Sequence, residues 1–152
     1  MREIKFRGKS TTEFDDKKIW LYGDLLQPTE LCDIYEISDC MSIDGSRYQV
    51  EKDSIGQYTG LQDKNGTEIY EGDIVTGTKY PFIENGKQNY IGMVLFYEDA
   101  AQFGYEYKCV NKDKRGISNG INNEFQVNKD LVCEDLEVIG NIYDNPELLE
   151  KN

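Results

Sequence analysis

The sequence predicts an all-β chain that ends in one short helix, and three observations carry that reading. Only two of the 152 residues are Ala, against 14 Ile and 11 Tyr, a composition poor for helices and good for strands. Several segments alternate apolar and polar residues with a period of two, as half-buried strands do. Gly, Asn and Asp cluster between those segments, where tight turns need them. Ile, Leu, Val and Phe sum to 37 residues, about 24% of the chain, which is enough to build a core.

Residues 1–7 alternate, with Ile4 and Phe6 on one face and Glu3, Lys5 and Arg7 on the other. Residues 9–18 are polar and include the turn-like run Asp15, Asp16, Lys17, Lys18. Residues 18–26, with the only Trp (Trp20), read as a second strand ended by Pro28, and Ile4/Phe6 with Trp20/Tyr22 suit an antiparallel pair. Residues 34–37 fit a short strand or a helical turn, and residues 47–51 alternate again.

The middle of the chain is the most sharply defined. Asp63 opens the turn Asp63-Lys64-Asn65-Gly66, where an Asp carboxylate accepts backbone N–H bonds and Gly66 or Asn65 takes a positive φ to close a hairpin. The same four residues begin like a calcium loop, but the bidentate Glu further on is absent. Gly72 then makes a sharp bend before the strand that starts at Ile74. Glu71 and Asp73 bracket the bend and are expected to face solvent.

Residues 76–89 read as an exposed loop broken by Pro81. Residues 90–97 are almost continuously apolar, as in a central strand buried on both faces. Residues 103–110 alternate as its partner, and residues 111–130, rich in Asn, Lys and Gly, suit a mobile insertion or a long hairpin tip. Residues 136–143 form the last strand. Asn145 then caps a short helix, with Pro146 in its first position and Glu147 at its positive end.

Composition excludes several chemistries. There is no His, so imidazole catalysis and mixed Cys/His zinc sites are ruled out. Cys32, Cys40, Cys109 and Cys133 include no CxxC pair and read as reduced structural thiols in a bacterial-type cytoplasm. No apolar run approaches the roughly 20 residues of a membrane span, and residues 1–7 lack the apolar core of a secretory signal. The net charge of −12 disfavours nucleic acid and anionic lipid as partners. The first nine residues are locally basic, with Arg2, Lys5, Arg7 and Lys9 against Glu3. No phosphate-binding glycine motif is present. Paired carboxylates are plentiful but have no diagnostic frame, so no catalytic residue, metal or cofactor is assigned and the chain is read as a non-enzyme. Tyr58, Tyr70, Tyr97, Tyr105 and Tyr107 fit a binding groove or, more simply, strands with the ring buried and the hydroxyl at the rim.

Three blocks carry a family likeness: residues 1–7, residues 55–75 from Ile55 through Tyr58, Asp63, Gly66, Tyr70 and Gly72 to Val75, and residues 137–149 from Glu137 to Leu149. In this order they resemble the YopX-like proteins of phages and prophages. The resemblance implies a phage or prophage origin, a β-rich fold and a C-terminal part similar to SH3-type barrels. It implies no activity. Residues 1–60 are accordingly expected to form a small antiparallel sheet. Residues 61–152 are expected to form an SH3-like barrel on residues 74–75, 90–97, 103–110 and 136–143, followed by the helix. The functional expectation is a cytoplasmic interaction module for a host or phage protein, and a homo-oligomer is compatible with it. The alternative is an acidic nucleic-acid mimic that blocks a DNA-binding protein; a hydrolase or metal enzyme ranks third. Tyr58, Tyr70, Glu71 and Asp73 are the candidate binding residues.

Overall fold

The computed structural model describes residues 3–28, 34–38, 46–79, 88–109, 126–128 and 136–150. The chain divides into two compact units, Met1–Gly60 and Leu61–Asn152. Its described elements are strands but for one 3-10 turn and one short helix, as the composition predicts.

In the first unit, β1 (Phe6–Phe14) and β2 (Lys17–Leu26) form a hairpin. Its two-residue loop is Asp15-Asp16, both with positive φ (49° and 59°), as a type I′ turn requires. The strands therefore run through most of the polar segment 9–18. Arg7 pairs with Tyr22 and Lys9 with Trp20, and the register then shifts before Glu13 pairs with Lys18. Ser10 holds that irregularity: its buried Oγ accepts the Ile19 N–H at 3.0 Å and donates to the Thr12 carbonyl at 2.7 Å.

β3 (Tyr35–Ser38) pairs with β2, β4 (Arg47–Val50) pairs with β3, and Ser10 of β1 meets Val50 of β4. With the hairpin, these four antiparallel strands close into a ring, a small barrel within residues 6–50. Ile37 and Val50 are buried in this unit. The ring is tight at Gly23, where a Cβ would lie 1.9 Å from the Ser38 carbonyl oxygen. A 3-10 turn, Lys52–Ser54, follows β4, and the Ser54 Oγ accepts the Lys9 N–H at 2.7 Å. β5 (Gly56–Gln62) pairs with β1 through Gln57 and Phe6 and carries the chain out of the first unit.

The second unit contains β6 (Glu68–Tyr70), β7 (Asp73–Lys79), β8 (Gln88–Tyr97), β9 (Gln102–Cys109), β10 (Gln126–Asn128), β11 (Glu137–Asn141) and the single-turn helix α1 (Glu147–Glu150). Five of its strands form an antiparallel sheet in the order β10-β9-β8-β7-β11. These include every strand expected for the C-terminal barrel. Among the described residues no pairing joins β10 to β11. β7 and β8 run further than expected, because Thr76, Gly77, Thr78 and Lys79 pair with Ile91, Tyr90, Asn89 and Gln88. Cross-strand hydrogen bonding extends both strands beyond the apolar pattern.

The core of this unit is Ile69, Val75, Tyr90, Val94, Tyr105, Tyr107 and Leu136, with Val138 packed against it. Tyr90 stacks on Tyr105 at 5.4 Å between centroids and meets Tyr107 edge-on at 5.3 Å. β10 falls inside the expected insertion 111–130 and pairs with β9, as a long hairpin would. The rest of that insertion lies outside the described residues, as do Cys32, Cys40, Cys133 and the side chain of Cys109. No described helix is long and apolar enough to cross a membrane.

Candidate functional site

The bend at Gly72 has the expected backbone, with φ at +81°. The Gly72 N–H donates to the Val94 carbonyl at 2.9 Å, and its own carbonyl accepts the Ile142 N–H at 3.0 Å, so the turn is tied to two neighbouring segments. The flanking acids differ. Glu71 is half-buried. Asp73, expected in solvent, is 1% exposed, and its Oδ2 accepts the Tyr70 N–H at 2.8 Å. An acid beside a glycine turn reads as exposed by composition. Here the turn needs an internal acceptor for a buried backbone donor, and the Asp73 carboxylate supplies it.

Asp63, 6% exposed, does the same at the preceding turn. Its Oδ1 accepts the N–H groups of Asn65 (2.8 Å) and Thr67 (2.9 Å), and its Oδ2 accepts that of Val138 (3.0 Å). Burial pushes its pKa up, but the N–H groups of Val138, Thr67 and Asn65 outweigh burial and hold it below its ordinary value. Gly66 takes the positive φ, at 83°. The sequence that begins like a calcium loop is thus a hairpin turn whose carboxylate is occupied by backbone donors. Among the described residues, no group of three or more Cys, Asp or Glu could hold a metal ion.

The candidate tyrosines are buried. Tyr58 is 7% and Tyr70 2% exposed, and the Tyr70 hydroxyl donates to Glu68 at 2.8 Å. Tyr105 and Tyr107 are core residues. The rings fill the strands' interior rather than line a groove. Burial also pushes the Tyr97 hydroxyl up, with Glu106 and Asp99 adding to the shift.

A different surface emerges in the first unit. Lys5 and, on β1, Arg7 and Lys9 alternate along one side, and each stands over an aromatic ring: Lys5 Nζ 5.4 Å from the Tyr58 centroid, Arg7 Cζ 4.8 Å and Lys9 Nζ 6.0 Å from that of Trp20. Tyr22, opposite Arg7, is 46% exposed, and Lys5, Lys9 and Trp20 are half-buried. Arg7 is buried and Ile4 is exposed, which reverses the expected polarity of the first strand. Cation–π contact explains the reversal, because a guanidinium stacked on indole loses less on desolvation than a bare charge does. The sequence signal was the spacing of Lys5, Arg7 and Lys9 in a locally basic stretch. Elsewhere in this unit a groove of about 250 Å³ lies among Thr11, Tyr35, Val50 and Lys52, with the Lys52 ammonium 5.5 Å from the Tyr35 centroid.

No curated protein matches the chain. Among solved structures it is similar to the crystal structure of protein EF1440 from Enterococcus faecalis, at 21% identity and a TM-score of 0.48, covering 98% of this chain and 99% of that one. The family model described as YopX protein matches residues 5–150, nearly the whole length, and the chain belongs to the YopX family.

Proposed function

We propose that this YopX-family chain is a phage- or prophage-encoded, non-enzymatic interaction module that binds a host or phage protein in the bacterial cytoplasm. The observation that supports this reading is the cation–aromatic side of the first unit. A half-exposed Trp20 and an exposed Tyr22 sit beside Lys5 and Lys9 on paired strands. Trp and Tyr held on rigid strands are among the side chains that carry binding energy at protein interfaces, and the lysines beside them add charge that selects the partner. The candidate acids of the Gly72 bend do not contribute in the same way, because Asp73 is turned inward.

The second reading, an acidic mimic of nucleic acid, draws on the net charge of −12. A DNA-binding protein would then be the partner and free DNA would compete for it. Affinity capture from host lysate separates the two readings. One stoichiometric partner, retained with DNA in excess and lost on Tyr22→Ser, supports the interaction module. A partner released by DNA and by salt, and indifferent to Tyr22→Ser, supports the mimic. No partner in either condition overturns both.

A further inference from the structure

We infer that the Lys5–Arg7–Lys9 side of the first unit docks an acidic, extended protein segment; this rests on the interaction-module reading and specifies the chemistry of the partner. The first sixty residues carry 8 basic and 12 acidic residues, yet three cations alternate along one side, Lys5 just before β1 and Arg7 and Lys9 on it. Strand geometry spaces alternate residues by about 6.6 Å, so Lys5 and Lys9 stand about 13 Å apart with Arg7 between them. An extended segment has the same repeat, so carboxylates four positions apart on it reach the ammonium groups of Lys5 and Lys9, with the buried Arg7 between them.

The rings fix the cations as well as flank them. Lys5 lies over Tyr58, and both Arg7 and Lys9 lie over Trp20. A stacked cation has already lost part of its side-chain freedom, so less is lost when a carboxylate arrives. The buried Arg7 holds a fixed positive charge behind the two half-exposed ammonium groups. Tyr22, the aromatic opposite Arg7 and 46% exposed, presents its ring to the incoming chain. Asp24, exposed and two residues beyond Tyr22 on β2, and Glu3, exposed and two residues before Lys5, are acids at one end of the side. The same stacking argues against single-stranded nucleic acid. Base stacking needs open ring faces, whereas Trp20 and Tyr58 already carry this chain's own cations.

The test is fluorescence anisotropy on the full-length protein with three labelled ten-residue probes at physiological salt: decaglutamate, a Gly/Ser peptide and oligo-dT. Decaglutamate is expected to bind in the micromolar range, to weaken at least about tenfold for Lys5→Gln/Lys9→Gln, and to strengthen as salt is lowered. The Gly/Ser peptide is expected not to bind. Thermal melting of the double variant, and of a milder Lys9→Gln variant, checks that the fold is kept. Decaglutamate binding that the folded double variant retains, or no decaglutamate binding at millimolar concentration, overturns the inference. Oligo-dT binding tighter than decaglutamate also overturns it and assigns the side to nucleic acid. If decaglutamate fails while a captured partner is still lost on Tyr22→Ser, the acidic chemistry is wrong and the interaction module stands. If both fail, the module reading falls as well.

Discussion

The carboxylate of Asp63 accepts the backbone N–H of Val138 at 3.0 Å, across 75 residues of sequence. Val138 belongs to β11, which among the described residues pairs with β7 on one side only. Asp63 occupies a donor of β11 from outside that pairing, and Lys64 donates its N–H to the Leu136 carbonyl at 2.9 Å just before the strand. A turn residue thus finishes a sheet edge that would otherwise offer unpaired backbone groups to another chain.

Asp63→Ala leaves the N–H groups of Asn65, Thr67 and Val138 without that acceptor. The expected loss is about 2–4 kcal/mol of unfolding free energy, since hydrogen bonds to a charged group are strong and buried orphan donors are costly. Asp63→Asn keeps one acceptor oxygen and is expected to lose about half as much. Urea unfolding followed by circular dichroism measures both. Trp20 fluorescence is unsuitable alone, because Trp20 lies in the other unit.

The same carboxylate sets an acid dependence. Its folded pKa lies below the ordinary 3.8. A depressed carboxyl contributes stability that is fully present above its unfolded pKa and is lost as pH falls through the folded one. Wild-type protein is therefore expected to lose stability as the pH drops below about 4, and Asp63→Asn to show a shallower loss over that window. Parallel acid dependence in the two proteins, by urea midpoints across the pH series, would exclude Asp63 as a source.

Local alternation was enough to locate most strands, because burial on one face leaves a period-two imprint in residues such as those of 103–109. It was also enough for the turns at Gly66 and Gly72, where a positive φ selects glycine. Ring closure was not legible, since it depends on one long-range pair, Ser10 with Val50. Nor was the burial of Arg7 and Asp73. Composition ranks both residue types as surface residues, and only three-dimensional partners, the Trp20 ring and the Tyr70 N–H, reverse that ranking. The binding candidates followed the same course. Tyr58, Tyr70 and Asp73 turned inward, while Lys5, Lys9 and Tyr22 come together on one side only through strand register.

At the Gly72 bend the two acids are expected to behave differently. Asp73→Ala removes the buried acceptor of the Tyr70 N–H and should cost about 2–3 kcal/mol. Glu71→Gln, at a half-buried position, should change stability by no more than about 0.5 kcal/mol. Equal effects in urea unfolding would contradict the geometry of the turn.

Gly72→Ala combines two penalties. The backbone φ of +81° strains any residue with a Cβ, and the new atom would sit 3.1 Å from Tyr143 Cε2. The expected cost is about 1–2 kcal/mol. A neutral variant by urea unfolding would mean that the turn relaxes without strain.

The β1–β2 hairpin offers a stabilising change. Asp15 and Asp16 both hold positive φ in a two-residue loop, and each is an acid in a chain of net charge −12. Asn-Gly is the preferred pair for a type I′ turn, because Gly adopts the second left-handed position without a steric penalty. The double change also lowers the net negative charge by two, which eases self-repulsion. Asp15→Asn/Asp16→Gly is therefore expected to raise the stability of the first unit by about 0.5–1 kcal/mol. The lone Trp20 lies on β2 of this hairpin, so its fluorescence during urea unfolding reports on this unit directly. Asp16→Pro, which fixes φ near −65° where the turn holds +59°, is expected to destabilise the same transition. If both variants leave the Trp20 midpoint where it is, the loop contributes nothing to the barrel, and the hairpin must be held from Ser10 and its partners instead.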